Sequence, residues 1–143
     1  MLRWLGWSNE MITEQQRQFL GGNHRKESVE PPPSATLTDI LGIVQSKSTT
    51  HASVVTKFYR DYYTCLQEMF RVSRKWVIIV IGNRVISRTA VNNGQITFEL
   101  SNAVGGEFHD YYTRSIKKKR LKDLGGDGGG TTGEHILVLR KMR

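Results

Sequence analysis

One stretch constrains the fold of this chain more than any other, the apolar run from Trp76 to Ile81. Five of its six residues are β-branched, and no polar residue interrupts them. Because strands that face water on one side alternate apolar and polar residues, an unbroken run is typical of a strand buried on both faces. The run therefore predicts a central strand of a parallel sheet covered by helices.

The polar residues that follow this strand are the first candidates for a site. Gly82, Asn83 and Arg84 come directly after the run. In open α/β sheets, ligands bind beyond the carboxyl ends of the strands. Asn83 and Arg84 are therefore predicted to border a ligand site. The alternative is that Gly82-Asn83 is an ordinary turn that closes the strand.

Composition bounds the class of protein. The chain has 143 residues, a net charge of +8 and a pI of about 9.9. This length fits a single domain over 1–143, and the charge favours polyanions such as nucleic acid. The single cysteine, Cys65, excludes an internal disulfide and a multi-cysteine metal site. Because Cys65 falls within a helical pattern, we expect a small buried side chain rather than a nucleophile.

No segment resembles a targeting signal or a membrane span. The N-terminal Met1 to Trp7 is too short for a charged region followed by an apolar one. The longest apolar run is far below the ~20 residues that a membrane helix needs. A cytoplasmic location is the default expectation. Trp4 and Trp7 would be costly in water, so we expect them to pack against other protein.

The first half of the chain predicts three helices. The first runs over 10–20 with Ser8 or Asn9 as its cap. The second starts at a capping box of Thr36 and Asp39 and ends near Ser46. The third, over 51–72, has a broad apolar stripe at helical spacing. Its members are Val55, Phe58, Tyr59, Tyr62, Tyr63, Leu66, Met69 and Phe70. The aromatic members are interpreted as core, with stacking on bases as the alternative.

The second half predicts a strand–helix–strand unit and a final strand. A helix is expected between Asn92-Asn93 and Gly105-Gly106, followed by strands over 108–116 and 135–140. The crossover should be right-handed, and the last two strands should pair antiparallel because no helix joins them. Segments 23–35 and 123–133 are predicted loops.

A basic segment follows the penultimate strand. Its cations are Arg114, Lys117, Lys118, Lys119, Arg120 and Lys122. Such a run can neutralise several phosphates of DNA, and the alternative is a solvated loop. The four scattered histidines lack the spacing of zinc ligands, so no metal site is predicted. The glycine run near Gly128 has no helix after it, which argues against a phosphate-binding loop.

Several short motifs resemble one family across nearly the whole chain. The most specific are the strand end Ile81-Gly82-Asn83-Arg84-Val85 and the segment Arg114-Ser-Ile-x-x-Lys119-Arg120. Leu2-Arg-Trp-Leu-Gly, Phe58-Tyr-Arg-Asp and Glu134-His-Ile-Leu-Val-Leu-Arg-Lys add to them. Together they are similar to S-adenosylmethionine-dependent DNA methyltransferases that modify cytosine N4 or adenine N6, as in restriction-modification systems. The resemblance implies a partial Rossmann-like methyltransferase sheet, with double-stranded DNA as the partner.

Two motifs of that family are missing. The catalytic Asp/Asn/Ser-Pro-Pro-aromatic loop is absent, because the only Pro-Pro, at 31–33, has no flanking aromatic and lies in the wrong place. The glycine-rich cofactor turn is also absent, and Leu121-Lys122 stands where the family often has proline. The resemblance therefore implies a C-terminal portion without catalytic residues that binds S-adenosylmethionine weakly or not at all. Asn83 and Arg84 would lie on the rim of the base pocket, and the basic segment would contact DNA. A subunit completed by a second chain and a stand-alone nucleic-acid-binding module are the alternatives.

Overall fold

The computed structural model describes residues 6–17, 19–20, 30–115 and 133–142. Four helices lie in this part of the chain: α1 (Asn9–Arg17), α2 (Ala35–Lys47), α3 (Thr49–Val72) and α4 (Asn93–Ala103). The strands are β1 (Trp76–Gly82), β2 (Arg84–Ile86), β3 (Thr89–Val91), β4 (Gly106–Ser115) and β5 (Gly133–Lys141). The fold class is therefore mixed α/β, as the sequence predicts.

The main sheet has three strands in the order β1-β5-β4, and every pair is antiparallel. The predicted antiparallel pairing of the last two strands is confirmed. The prediction that β1 lies within a parallel sheet is wrong, because the strand that pairs with it, β5, is antiparallel to it. β1 and β4 still run in the same direction, with α4 between them in sequence and β5 between them in space.

The two faces of β1 differ, so the prediction of burial on both faces is also wrong. Val77 and Ile79 are buried, whereas Ile78 is 61% exposed and Val80 is 56% exposed. The buried face belongs to the main core, where β5 adds Leu137 and Leu139. The apolar composition of the run misled the prediction, because no described helix covers the second face.

Helices α2, α3 and α4 form the layer that covers the buried face of the sheet. The core joins Leu37 and Val44 of α2, Leu66 of α3, and Ile96 and Leu100 of α4. The aromatic stripe of α3 belongs to the core, as predicted, but its members are not equally buried. The fully buried members are Val55, Tyr59, Leu66 and Phe70, whereas Phe58, Tyr62, Tyr63 and Met69 are half-buried. Cys65 is also only half-buried.

Helix caps follow short polar residues, with one correction. Ser8 accepts the backbone N–H of Met11 at the start of α1, and Ser48 caps α3 through the N–H of His51. The predicted capping box of Thr36 and Asp39 is wrong, because the cap of α2 is Ser34, which accepts the N–H of Leu37. Ser34 lies two residues earlier, directly after the proline run.

The end of α4 is tightly built. Asn92 caps its start, and Gly105 ends it in the left-handed conformation, with φ +84°. Gly106 then begins β4 against α3, and a Cβ there would lie 2.5 Å from the Phe70 ring. The predicted glycine stop is therefore confirmed.

The hairpin formed by β2 and β3 has no counterpart in the predictions. Its two turn residues, Ser87 and Arg88, have φ angles of +48° and +57°. Two-residue hairpins with both central residues at positive φ are normally built from Asn and Gly. Since neither residue is present, the sequence carries no turn signal here.

Some predictions fall beyond the described residues. Trp4, most of the 23–35 segment and residues 116–132 lie outside them. Trp7 is described and is half-buried. Within the described part of the chain, no helix is both long and apolar enough to cross a membrane.

Candidate functional site at the end of the first strand

A cleft of about 590 Å³ opens where β1 ends and the β2–β3 hairpin begins. One wall is α3, the opposite wall is the hairpin, and the start of α4 contributes Asn93. The apolar lining consists of Leu20, Val54, Val55, Phe58, Val85 and Ile86. The polar lining consists of His51, Tyr59, Arg84, Ser87 and Asn93. An apolar cleft with a few converging polar groups is the usual form of a ligand site.

A hydrogen-bonded chain connects the floor of the cleft to the end of β1. The Tyr59 hydroxyl donates to Oδ1 of Asn93, and Nδ2 of Asn93 donates to the carbonyl oxygen of Gly82 at 2.5 Å. Both side chains are buried. This chain holds α3, α4 and the carboxyl end of β1 in one fixed arrangement.

Tyr59 is held in its neutral form. Burial raises the pKa of its hydroxyl well above the usual value, and nearby Tyr62 raises it further. Arg84 acts in the opposite direction, which places its positive charge within electrostatic reach of the phenol. The phenol is therefore a neutral hydrogen-bonding group at neutral pH.

The mouth of the cleft contains a second polar contact. Nδ1 of His51 lies 2.6 Å from Oγ of Ser87, and this contact joins the first turn of α3 to the hairpin turn. Lys47 donates to Oγ1 of Thr89 at 2.9 Å, on the same hairpin. The strained turn is thus fixed to both α2 and α3. Backbone outliers of this kind persist only where surrounding contacts support them.

Aromatic rings line the α3 wall. Phe58 meets Tyr59 edge to face with ring centroids 5.2 Å apart, and it stacks on Tyr62 at 6.1 Å. Tyr62 also approaches Oγ1 of Thr97 at 3.2 Å, and burial raises the pKa of its hydroxyl. Of these rings, Phe58 and Tyr59 line the cleft, and Tyr62 supports Phe58 from behind.

Of the two predicted base-pocket residues, one lines this cleft and the other does not. Arg84 lines it and is solvent-exposed, so its guanidinium is available to an anion at the rim. Asn83 is exposed and adjacent in sequence, but it is not among the lining residues. The structure therefore brings Arg84, and not Asn83, together with the other polar groups.

The predicted DNA-contacting residues are only partly within the described chain. Arg114 lies near the end of β4, and its Nε donates to Glu134 of β5 at 2.9 Å. This ion pair reduces the positive charge that Arg114 presents. Lys117, Lys118, Lys119, Arg120 and Lys122 lie outside the described residues.

Sequence reasoning missed Tyr59, Asn93 and His51 as site residues. Tyr59 belongs to a helical apolar stripe, and Asn93 follows the helix cap, so both have a structural interpretation that hides their position at the cleft. The order of the helices and strands along the chain was the one signal that could have indicated these residues. In α/β folds the start of a helix after a strand lies near that strand's carboxyl end.

The polar groups that line the cleft are hydrogen-bonding side chains and one guanidinium. Among the described residues, no three His, Cys, Asp or Glu side chains come together as metal ligands. The cleft offers neutral hydrogen-bonding groups inside and a guanidinium at the rim. This combination fits a polar ligand that carries a negative charge.

Comparison with known proteins adds no relative. No protein-family model matches the chain, and neither the curated proteins nor the solved structures contain a match.

Proposed function

We propose that the chain is the C-terminal portion of an S-adenosylmethionine-dependent DNA methyltransferase that modifies an exocyclic amine of cytosine or adenine. It supplies the rim of the base pocket and the DNA-facing cations. The catalytic loop and the cofactor turn come from a segment or a chain not contained in this sequence. The proposal rests on the resemblance around Gly82-Asn83-Arg84 and the Arg114 to Arg120 segment.

The observation that carries the proposal is the cleft beyond the carboxyl end of β1. Its volume of about 590 Å³ lies in the range of small-molecule sites, and a flipped base with its sugar needs such a space. Phe58 offers an apolar ring for the base, and the exposed guanidinium of Arg84 suits a nucleotide's phosphate. In enzymes that act on a flipped base, stacking and edge hydrogen bonds hold the base.

The sheet order supports the same proposal. β1, α4 and β4 form a crossover between strands of equal direction, and β5 lies antiparallel between them. Many doubly wound folds carry an antiparallel strand near one edge of an otherwise parallel sheet. The arrangement is compatible with one end of a larger sheet.

Duplex DNA binding over a salt series tests the DNA-facing role. Binding of a fluorescent 20-base-pair duplex to the full chain should weaken steeply with salt, by a log–log slope of roughly −0.9 per phosphate neutralised. The double variant Lys118→Ala/Lys119→Ala should make that slope shallower by up to about 2 units, for every duplex sequence alike.

A control variant that loses two positive charges elsewhere on the chain separates the effect of the basic segment from the effect of net charge. Arg60 and Arg74 are exposed on and after α3, so Arg60→Ala/Arg74→Ala removes two charges elsewhere. The control should keep the parent slope within about half a unit. If the double-lysine variant and the control bind DNA equally well at every salt concentration, the basic segment is a solvated loop and the DNA-facing role is wrong.

Arg84 tests the base-pocket role. In the enzyme reassembled with a chain that carries the missing motifs, Arg84→Ala should lower the rate of methyl transfer more than it lowers DNA affinity. A rim residue acts on the positioned nucleotide, whereas the basic segment provides most of the affinity. A parallel loss of both quantities would assign Arg84 to general phosphate binding.

The second candidate is a stand-alone nucleic-acid-binding module, which the net charge of +8 favours. Titration calorimetry with S-adenosylmethionine distinguishes an incomplete methyltransferase from a complete one. The isolated chain should show no one-to-one binding in the micromolar range, because it lacks the glycine-rich turn. Methyl transfer restored by a chain containing that turn would exclude the stand-alone module.

A further inference from the structure

One face of the main sheet has no described layer against it. Its side chains, called here the outer face, alternate with the core residues along β1, β5 and β4. By strand register the apolar ones are Trp76, Ile78, Val80, Ile136, Val138 and Tyr112, and Asp110 of β4 lies beside them opposite Val138. Ile78 and Val80 are more than half exposed, and so is Tyr112. Monomeric proteins rarely expose a contiguous apolar patch of this kind without a partner.

The charges that border the outer face are already paired. At one end Arg140 of β5 binds Glu107 of β4 at 2.6 Å. At the other end Arg114 of β4 binds Glu134 of β5. Between the two ion pairs the face is apolar along β1 and β5, whereas on β4 Asp110 lies opposite Val138 and its carboxylate accepts the Tyr112 hydroxyl.

Among the described residues, the open edge of β1 has few of the features that protect exposed strands, and at its end the carbonyl oxygen of Gly82 is already occupied by Nδ2 of Asn93. Within the described residues, β1 pairs only with β5, and from Trp76 to Gly82 it contains no charge, proline or bulge. The opposite edge strand, β4, has a register shift between Phe108 and Asp110 and contains charged residues. Native edge strands use such bulges and charges to prevent pairing. The difference between the two edges indicates that β1 accepts another strand.

Cations flank the open edge. Lys75 lies before β1, with its Nζ 5.1 Å from the centre of the Trp76 ring, and Arg84 follows the strand. A strand that pairs along β1 would therefore meet positive charge at both of its ends. Carboxylates at those positions would be complementary.

We propose that β1 is a docking edge for a strand of a second polypeptide, rich in β-branched residues and flanked by acidic residues, which extends the sheet and covers the apolar part of the outer face along β1 and β5 with an apolar layer. The inference rests on the proposed function, since that polypeptide would be the one that carries the missing motifs. Strand addition supplies backbone hydrogen bonds, and the apolar layer supplies most of the buried area.

A second copy of the chain is a poorer occupant. Antiparallel pairing of two β1 edges around a two-fold axis would put both outer faces on the same side and leave both uncovered. Face-to-face packing would cover the faces but leave both edges open. The net charge of +8 on each copy also opposes self-association.

A synthetic peptide tests the edge directly. The probe is a fluorescent ten-residue peptide of alternating Val and Thr with Asp and Glu at each end. It should bind the full chain one to one in an anisotropy titration. Alternate N-methylation removes the N–H groups of one edge and should weaken binding at least tenfold. A peptide with Lys at both ends should bind more weakly than the acidic one.

Substitutions on the chain locate the peptide. Ile78→Thr/Val80→Thr keeps β-branched residues in an exposed position and should weaken binding of the acidic peptide several-fold. Ile43→Thr, at an exposed position of α2, is the matched control and should leave binding unchanged. Circular dichroism should show all variants folded, since none of these side chains is in the core.

Three results would overturn the proposal. The first is equal binding of the plain and N-methylated peptides. The second is equal binding of the acidic peptide by the β1 variant and the α2 control. The third is sedimentation of the chain as a dimer that Ile78→Thr/Val80→Thr dissociates. The last would assign the edge to a second copy. Salt-dependent DNA binding that persists while the acidic peptide fails to bind would reject the docking edge and leave the proposed function standing.

Discussion

The side-chain amide of Asn93 donates a 2.5 Å hydrogen bond to the carbonyl oxygen of Gly82, and this bond joins the first turn of α4 to the carboxyl end of β1. The same amide accepts the hydroxyl of Tyr59 from α3. Three elements therefore meet at one asparagine beneath the cleft. Because both side chains are buried, removing either partner leaves a polar group without compensation from water.

Tyr59→Phe should destabilise the fold by about 1–3 kcal/mol, since it leaves Oδ1 of Asn93 without its buried donor. Chemical denaturation gives the free energy of unfolding. The control is the same substitution at half-buried Tyr63, which should cost less than about 1 kcal/mol. Equal losses at both positions would mean that ring packing, and not the hydrogen bond, dominates.

Glu99 ties α4 to the start of α2, and this contact makes stability depend on pH. Its carboxylate accepts from the Ser34 hydroxyl, from both the hydroxyl and the N–H of Thr36, and from Gln95. Burial alone would raise the pKa of Glu99, but these hydrogen bonds lower it from 4.5 to about 2. A carboxyl whose folded pKa is depressed stabilises the fold above its unfolded pKa, and this stabilisation is lost as pH falls.

Glu99→Gln should therefore lower stability at pH 7 by about 1–2 kcal/mol, after allowance for solvent screening. The difference between the parent and the variant should shrink as pH falls from about 4.5 to about 2. Thermal unfolding at several pH values measures it. Glu68→Gln is the control, because Glu68 forms an exposed ion pair with Arg71 and should change stability by less than about 1 kcal/mol. A Glu99→Gln effect that persists unchanged at pH 2 would contradict the assignment.

The elements that the sequence predicts well are those in which local preference and tertiary packing agree. The helix over Thr49–Val72 ends at its predicted end because its apolar stripe and its length both favour it. The stop at Gly105 requires positive φ, which the sequence indicates by a glycine pair. The final antiparallel pair follows from a connection without a helix.

The elements that the sequence predicts poorly depend on context outside the local pattern. The run from Trp76 to Ile81 has the composition of a strand covered on both faces, but one face is open in this chain. The turn at Ser87-Arg88 lacks glycine and is held by His51, which is 36 residues away. Asn93 looks like part of a helix cap, and only the fold reveals its contact with Gly82.

Gly106 and Gly42 should respond in opposite directions to the same change. A Cβ at Gly106 would lie 2.5 Å from the Phe70 ring and 2.9 Å from the carbonyl oxygen of Ser101. Gly106→Ala should therefore cost about 1–3 kcal/mol. Gly42 lies in α2 with nothing within 4 Å of its Cβ position, so Gly42→Ala should stabilise by about 0.5–1 kcal/mol. Thermal unfolding of the two variants and the parent measures both effects. If both variants shift the unfolding temperature in the same direction, the close packing at Gly106 is refuted.

Arg88 is the residue at which relief of backbone strain should be measurable. Its φ of +57° lies in the left-handed region, which costs a residue with a side chain roughly 1–2 kcal/mol relative to glycine. Arg88→Gly removes that cost but gives the unfolded chain more freedom, worth about 0.4–1 kcal/mol. The net expectation is a gain of up to about 1.6 kcal/mol. Arg74→Gly is the matched control, since its φ is not positive, and it should destabilise. Denaturation midpoints of the two variants decide the outcome. A loss of stability in Arg88→Gly equal to that of Arg74→Gly would show that the turn at Ser87-Arg88 carries no strain.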